Sequence, residues 1–424
     1  MQNVPNQELP ASHKYKILTL TSLGHIMELY DFILYGVMLS FLAKAFLPDH
    51  NPNFSMFLAS LSFAITFLIT PIGSIFWGWY GDKFGRISML NISMILMAIP
   101  SISIALLPTY KTIGILAPII LIFLRIMQGI SASGEIIGAK IFAMEAIGDA
   151  SHGLSSGIIT AAGAIGILLA MYMGYLTSTS SLEYFWRIPF ILGSVLFIFA
   201  TMIRKNLSAQ MKIHHDKLPN KEENQSISAI IDITKNNPHA SLIVFVLGAM
   251  LGILSYTLHV FINPFLIKLG FDAAVVFKHS LIGYSATIVG AILAGIYVDK
   301  YCNINELFLR SLKGIVLAVT LLFLPLFLLI LLGSYCSIIG FFVLDFLLGS
   351  YATISAIMMY KAFPKDVRCR GVLMNYAFGC GVFGGITPLI LGILGDINIY
   401  LPAFAVTICF FVIYFVLKWS LRKC

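Results

Sequence analysis

The chain has 424 residues, of which 59% are hydrophobic and 11% charged, with a formal net charge of +8 and a mean hydropathy of +0.92. A soluble domain carries roughly 25% charged residues, so this composition cannot furnish a water-solvated surface. A soluble enzyme, a fibrous protein and a disordered tail are thereby excluded. A transmembrane helix needs ~20 apolar residues, and the apolar content supplies about twelve of them, so the expected class is an all-α polytopic membrane protein.

In chain order, residues 1–16 are polar and carry Lys14 and Lys16. The first apolar run, 17–43, is too long for the hydrophobic region of a signal peptide and lacks a small-residue cleavage site, so it reads as a retained span. Further stretches with few or no charges follow at 54–80, 88–109, 113–139, 154–178 and 185–203, then at 240–266, 279–298, 311–332, 337–360, 371–394 and 398–417. The run from 311 to 360 is divided by a polar turn, Gly333 to Ser337. Residues 204–239 are the one long polar stretch. They read as a cytoplasmic linker joining two six-span halves, 1–203 and 240–424.

Twelve spans put both termini on one side. If that side is the cytoplasm, it receives 21 of the 27 Lys and Arg residues, Lys140 among them. Lys44, Lys111, Arg187, Lys268 and Lys278 fall outside, and Arg125 is left within a span. The positive-inside rule then sets cytoplasmic termini in a cytoplasmic (inner) membrane.

The six cysteines are scattered without C-x-x-C spacing, which argues against a disulfide framework, a zinc site or an iron–sulfur cluster. No G-x-x-x-x-G-K-[ST] phosphate loop occurs, so direct drive by ATP has no support. No cofactor is expected beyond a proton gradient. Topology accounts for the basic residues, so no nucleic-acid partner is expected either. The expected partners are a small solute, a proton and the lipid bilayer, with the chain functional as a monomer. A membrane enzyme would need converging His, Asp or Cys groups, and the tightest cluster, His214-His215, lies in the linker. A passive channel or a transporter-like nutrient sensor is the reading from another class.

Internal duplication supports the two halves. Gly78, Asp82 and Lys83 recur as Gly295, Asp299 and Lys300, 217 residues later. Parallel six-span repeats point to a transporter with its site between them. The run GWYGDKFGR (78–86) resembles the loop signature between the second and third spans of the major facilitator superfamily. That resemblance implies twelve transmembrane helices in two six-helix repeats. It also implies a cytoplasmic gate of Gly78, Asp82, Lys83, Gly85 and Arg86, with Asp299 in the second copy, where Cys302 replaces the expected glycine.

Four further runs are similar to the metabolite:proton symporter subfamily, which includes carriers of proline/betaine, 2-oxoglutarate, citrate and shikimate. They are GHIMELYDFILYG (24–36), RIMQGISASGE (125–135), WRIPF (186–190) and FGGITP (383–388). The 125–135 and 186–190 runs argue against a drug:proton antiporter of the same superfamily. Glu135 is expected to help pin the gate beside the 78–86 loop.

A charged side chain at the bilayer centre costs at least ~2.5–3.5 kcal/mol and is a functional candidate by default. Such residues are Glu28 and Asp31 in the first span, Arg125 in the fourth and Asp345 in the tenth. Helical spacing puts Glu28, Tyr35 and, within about 60°, His25 and Asp31 on one side. Arg125, Gln128 and Glu135 share a second stripe. The resemblance implies that the first, fourth, seventh and tenth spans line the transport cavity, with Tyr256, His259 and Asn263 on the wall opposite.

The expected roles follow from the chemistry. Arg125, with Gln128 beside it, binds a carboxylate through its planar fork. Glu28 and Asp31 carry the coupling proton, because a substrate carboxylate at Arg125 weakens that cation's hold on them and promotes protonation. The competing reading is a fixed ion pair between Arg125 and Glu28 or Asp31. Tyr35 and Tyr256 either cage a quaternary ammonium by cation–π attraction or merely pack. Asp345 either pairs with a neighbouring helix or binds the substrate's cation, and His259 is a satisfied polar residue or a proton relay.

One membrane arginine against several carboxylates suits a zwitterion. The expected function is therefore secondary active, proton-coupled symport of proline or glycine betaine by alternating access. A symporter of 2-oxoglutarate or another dicarboxylate is the runner-up.

Overall fold

Within hydrocarbon, a backbone satisfies its N–H and C=O groups only as helices or a closed barrel. Every described element of the computed structural model is helical. The structure describes residues 11–47, 52–84, 86–134, 138–147, 151–210, 233–302, 305–364 and 367–421. Ten helical stretches are long and apolar enough to cross a membrane, and two shorter apolar helices, Leu116–Ala132 and Arg187–Ile203, fall where the fourth and sixth spans are expected. The chain is a multi-pass membrane protein with twelve spans.

The first six are Ala11–Val37, Pro52–Leu68 with Thr70–Phe84, Arg86–Leu106, Leu116–Ala132, His152–Thr179 and Arg187–Gln210. The seventh runs through Pro238–Tyr256, Thr257–Phe261 and Ile262–Lys268. Ala273–Tyr301, Asn305–Leu331 and Ser334–Ala362 follow, then Arg368–Tyr376, Ala377–Gly384 and Gly385–Ile397 as the eleventh, and Leu401–Ser420 as the twelfth. The turn read at Gly333 is present: this residue has φ 65°, a left-handed backbone that glycine adopts without strain. Asp272 caps the eighth span through Val275 N–H at 2.9 Å.

Three details depart from the sequence reading. The sixth helix continues to Gln210, so the start of the stretch read as linker is helical; residues 211–232, His214 and His215 among them, lie outside the described residues. The seventh and eleventh spans each contain a π-helical stretch, Thr257–Phe261 and Ala377–Gly384. A short helix, Gly138–Ile147, follows the fourth span and carries Lys140 inward. That lysine is only 5% exposed, so it is not the solvated loop charge it was counted as.

The buried apolar side chains form two large clusters. One is built from the first six spans with a few residues of the seventh and eighth. The other is built from the last six with Ile141 and Met144. The two sets of spans meet along the second and eleventh and along the fifth and eighth. Both seams depend on glycine: a Cβ on Gly157 would lie 2.6 Å from the Ala291 carbonyl oxygen, and one on Gly385 2.6 Å from the Phe67 ring.

Candidate functional site

The first, third and fourth spans bring four polar side chains together out of reach of solvent. Gln128 is the hub. Its Nε2 donates to Asp31 Oδ2 at 2.7 Å and to Ser101 Oγ at 3.0 Å, and its Oε1 accepts from Arg125 Nη1 at 2.6 Å. Ser101 Oγ also donates to Asp31 Oδ1. Arg125 is 0% exposed. Its Nε and Nη2 have no hydrogen-bond partner among the described residues, which leaves charge-assisted donors for a ligand. Arg125 and Asp31 are joined through Gln128, and among the described residues no direct ion pair links them. The expected fixed pair is thus a three-residue bridge.

Aromatic rings enclose the guanidinium. Arg125 Cζ sits 3.8 Å from the centroid of Tyr35 and 5.9 Å from that of Phe63. The Tyr35 hydroxyl and the Ser62 hydroxyl are 2.5 Å apart. Tyr256, from the seventh span, closes the group by packing on Phe63 at 5.8 Å and on Phe67 at 4.7 Å. Beyond Tyr256 lies a small cavity at the junction of the two sets of spans, lined by Phe67, Thr70, Ser133, Tyr256, Tyr376 and Cys380 among others.

The two carboxylates of the first span go separate ways. Asp31 belongs to the Arg125 network, whereas Glu28 faces His25, with Oε2 and Nδ1 3.3 Å apart. Glu28 lies beside Ser93, Met97 and Ser131 of the third and fourth spans. Side chains three residues apart on a helix differ by about 60° in direction, enough to give the two acids different partners: Asp31 bonds to Ser101 and Gln128, and Glu28 to His25. Glu28 and Asp31 share one side of the first span, as the spacing predicts, but not one hydrogen-bond network.

Tyr256, His259 and Asn263 do not share one wall either. The π stretch that begins at Thr257 adds a residue to the turn and breaks the i, i+3, i+7 register. Tyr256 faces the first six spans. His259 Nε2 instead lies 3.2 Å from Asp345 Oδ1, its Nδ1 3.1 Å from Ser255 Oγ, and its ring packs edge-on against Tyr284. Asn263 accepts from Ser280 Oγ at 2.6 Å and reaches Met171 Sδ at 3.4 Å. Asp345 is fully buried; Thr287 Oγ1 lies 3.4 Å from its Oδ1, and its Oδ2 has no partner among the described residues.

At the end of the bundle that carries both termini, Asp299 accepts N–H bonds from Gly153 and Leu154 of the fifth span, both at 2.7 Å. Gly78 packs beside the Arg370 side chain, whose Cγ lies 3.6 Å from the position a Cβ would take. Asp82, Lys83 and Arg86 stand on helices whose side chains there are not described, and Gly85 and Glu135 lie outside the described residues. In WRIPF, Arg187 donates to the Ala105 carbonyl and lies 4.6 Å from the Trp186 ring centroid, tying the sixth span to the third.

Several partners escape sequence reasoning. Ser101, Ser62 and Phe63 are distant in sequence from the residues they serve. A serine beside Pro100 in an otherwise apolar span is a faint signal for the first. Lys140 had a clearer one, since it stands amid apolar and small residues. Its Nζ donates to Thr160 Oγ1 at 3.2 Å. Among the described residues, no group of three or more His, Cys, Asp or Glu is arranged to hold a metal ion.

Comparison with known proteins agrees with this architecture. The family model of the Major Facilitator Superfamily matches residues 21–368. A Staphylococcus aureus protein provisionally named a proline/betaine transporter is 30% identical over 385 residues, covering 88% of this chain and 81% of its own. The proline/betaine transporter of Salmonella typhimurium is 38% identical over 210 residues, 48% of this chain and 42% of its own. A solved structure of the proton:xylose symporter XylE bound to 6-bromo-6-deoxy-D-glucose shares the fold, with TM-score 0.69 at 16% identity over 97% of this chain and 94% of that one. A partially occluded, inward-open structure of XylE from E. coli superposes equally well, with TM-score 0.69 at 15% identity over 96% and 97%. The chain belongs to the Major Facilitator Superfamily, a family of membrane transporters and not of enzymes.

Proposed function

We propose that the protein is a proton-coupled symporter of a small zwitterionic solute of the proline or glycine betaine type. It works by alternating access between residues 1–203 and 240–424, with 204–239 as the connecting linker. The observation that carries this reading is the occluded Arg125. Two of its guanidinium nitrogens are without partners among the described residues, aromatic rings surround it, and Gln128 connects it to Asp31.

A solute carboxylate takes the free donors of Arg125, and the cationic end of the solute lies against the faces of Tyr35, Phe63 and Tyr256. The carboxylate partly neutralises Arg125, which weakens its hold on Asp31 and lets that acid take a proton. Solute and proton thereby load together, and the neutralised site reorients. Asp345 and His259 form a buried polar pair in the last six spans that steadies the opposite wall. Asp299, with Gly78, Asp82, Lys83, Gly85, Arg86 and Glu135, forms the gate at the cytoplasmic end. The names of the Staphylococcus and Salmonella relatives support the solute class. The bias of basic residues supports cytoplasmic termini in an inner membrane. The monomer is the working unit and the proton gradient its only drive.

The test is uptake of labelled betaine, proline and 2-oxoglutarate into proteoliposomes, with and without an inward proton gradient. Gradient-driven accumulation of betaine or proline is expected. Accumulation of 2-oxoglutarate alone would replace the zwitterion by a dicarboxylate, and indifference to the gradient would remove symport.

A further inference from the structure

Three buried groups of the first six spans have no part in the solute site: Glu28, His25 and Lys140. They are stacked in order along the bundle. Glu28 Oε2 lies 3.3 Å from His25 Nδ1. The His25 ring rests on Gly163 of the fifth span, where an added Cβ would come within 2.8 Å of Nε2. Thr160 lies three residues earlier on the same helix, and residues so spaced are surface neighbours about one turn apart. Thr160 Oγ1 accepts from Lys140 Nζ at 3.2 Å. Lys140 thus stands one turn below His25, toward the end that carries the termini.

Among the described residues, the titratable groups around Glu28 are His25 on its own span, Lys140 from the Gly138–Ile147 helix, and Tyr256 and Tyr376 from the seventh and eleventh spans. The third, fourth and fifth spans contribute the hydroxyls of Ser93, Ser131 and Thr160. Cys380, which lines the cavity between the two sets of spans, also acts on Lys140. Neither His25 nor Lys140 lines that cavity.

We propose that Glu28, His25 and Lys140 form a proton route to the cytoplasmic side that is separate from the path of the solute. This rests on the symport reading above. The proton leaves the Glu28 carboxyl for His25 Nδ1. The imidazolium releases its Nε2 proton to the Lys140 amine, which has already given one to water at the cytoplasmic end. One proton crosses; Glu28 is left a carboxylate to be reloaded with the next coupling proton, and His25, left with its proton on Nδ1, regains the starting tautomer by a ring flip. The three chemistries suit the task. Imidazole accepts at one nitrogen and donates from the other, and an ammonium carries three protons, of which Thr160 engages one.

The test uses purified protein in liposomes and two assays with labelled betaine. Counterflow at equal pH requires the solute path alone, whereas uphill accumulation under an inward proton gradient requires the proton path as well. Arginine at position 140 keeps the charge and the donor to Thr160, but a guanidinium does not release its proton in proteins. Lys140→Arg and His25→Gln are therefore expected to exchange betaine at the wild-type rate while accumulation falls to equality across the bilayer.

Full accumulation by Lys140→Arg would overturn the route and leave the lysine a charge and nothing more. Loss of counterflow together with accumulation in both variants would also overturn it, since these residues would then be shaping the solute site. If the Lys140→Arg chain does not reach the bilayer, His25→Gln decides by the same two readings. Wild-type protein that exchanges betaine but ignores the gradient overturns the symport reading itself, and the route with it.

Discussion

Asp299 caps a helix that belongs to the other six spans: its two carboxylate oxygens accept the N–H groups of Gly153 and Leu154, each at 2.7 Å. The first turn of a helix leaves N–H groups without intrahelical partners, and a carboxylate there also meets the positive end of the helix dipole. The bond pair exists only while the fifth and eighth spans are in contact, so it stabilises the state closed at that end. Asp299→Ala is expected to cost that state about 1–2 kcal/mol, a roughly 5–30-fold shift toward opening. Alkylation of Cys380 by a membrane-impermeant maleimide, followed by peptide mass, reads the shift. An unchanged labelling rate would show that the cap does not hold this end shut.

The seam beside that cap leaves no room for side chains. A Cβ on Gly295 would lie 2.6 Å from the Gly153 carbonyl oxygen, and one on Gly157 2.6 Å from that of Ala291. Backbone oxygens cannot swing aside as a flexible side chain does. Gly295→Ala is therefore expected to impair transport and Gly157→Val to abolish it, with Cys380 labelled rapidly in both. Normal uptake by Gly157→Val would show that the two spans need not come this close.

Gln128 is expected to matter as a coupler. Gln128→Leu removes the bridge between Arg125 and Asp31 and strands Asp31 with Ser101. Betaine uptake should lose its proton dependence more than its affinity. In a double-mutant cycle with Asp31→Asn, the coupling energy should fall in the range of about 0.5–3 kcal/mol found for residues within one network. Additive effects would place Gln128 outside the coupling chemistry.

The pH dependence has a definite sign. A carboxylate takes up a proton as pH falls, so lowering the external pH raises the fraction of carriers loaded with both proton and solute, and the initial rate of uptake climbs. Asp31→Asn mimics the protonated acid and should flatten that profile. Initial rates measured at fixed internal pH check it. A profile as steep as the wild type's would move the coupling proton elsewhere.

Tyr256 is expected to discriminate between solutes. Glycine betaine carries a quaternary ammonium with no N–H to donate, so aromatic faces are its main source of recognition. Tyr256→Ala should raise the KM for betaine by about 2–30-fold, the equivalent of ~0.5–2 kcal/mol of cation–π attraction, and raise that for proline less. Tyr256→Phe should retain both. An equal loss for both solutes would assign Tyr256 to packing.

The spans and the buried charges were legible in the sequence because both follow from transfer energetics, which act residue by residue. Arg125, Gln128 and Asp31 stood out for the same reason, and they do meet. What escaped depends on contacts between distant segments. Nothing in residues 250–265 announces the extra residue of the π turn, so the sequence puts Tyr256, His259 and Asn263 on one wall, whereas Tyr256 and Asn263 touch the first six spans at separate places and His259 turns to Asp345. Ser101 and Ser62 look like ordinary small residues until the third and second spans are laid beside Asp31 and Tyr35. Lys140 was assigned by topology to a loop, whereas the short helix that bears it packs on the first and fifth spans.

The π stretches of the seventh and eleventh spans are matched by no such stretch in the first and fifth, the spans six places earlier, which run as regular α-helices from Ala11 to Val37 and from His152 to Thr179. The division of labour is therefore lopsided. One set of six helices holds Arg125, Asp31, Glu28 and Lys140 on α-helical turns of ordinary pitch, as an instrument holds its electrodes. The other keeps its loosely wound turns where it meets them, and a loosely wound turn can shift register by a single residue without unfolding. In a rocking cycle the charged constellation can then keep its shape through every stroke, while the bending is taken up by the partner across the seam.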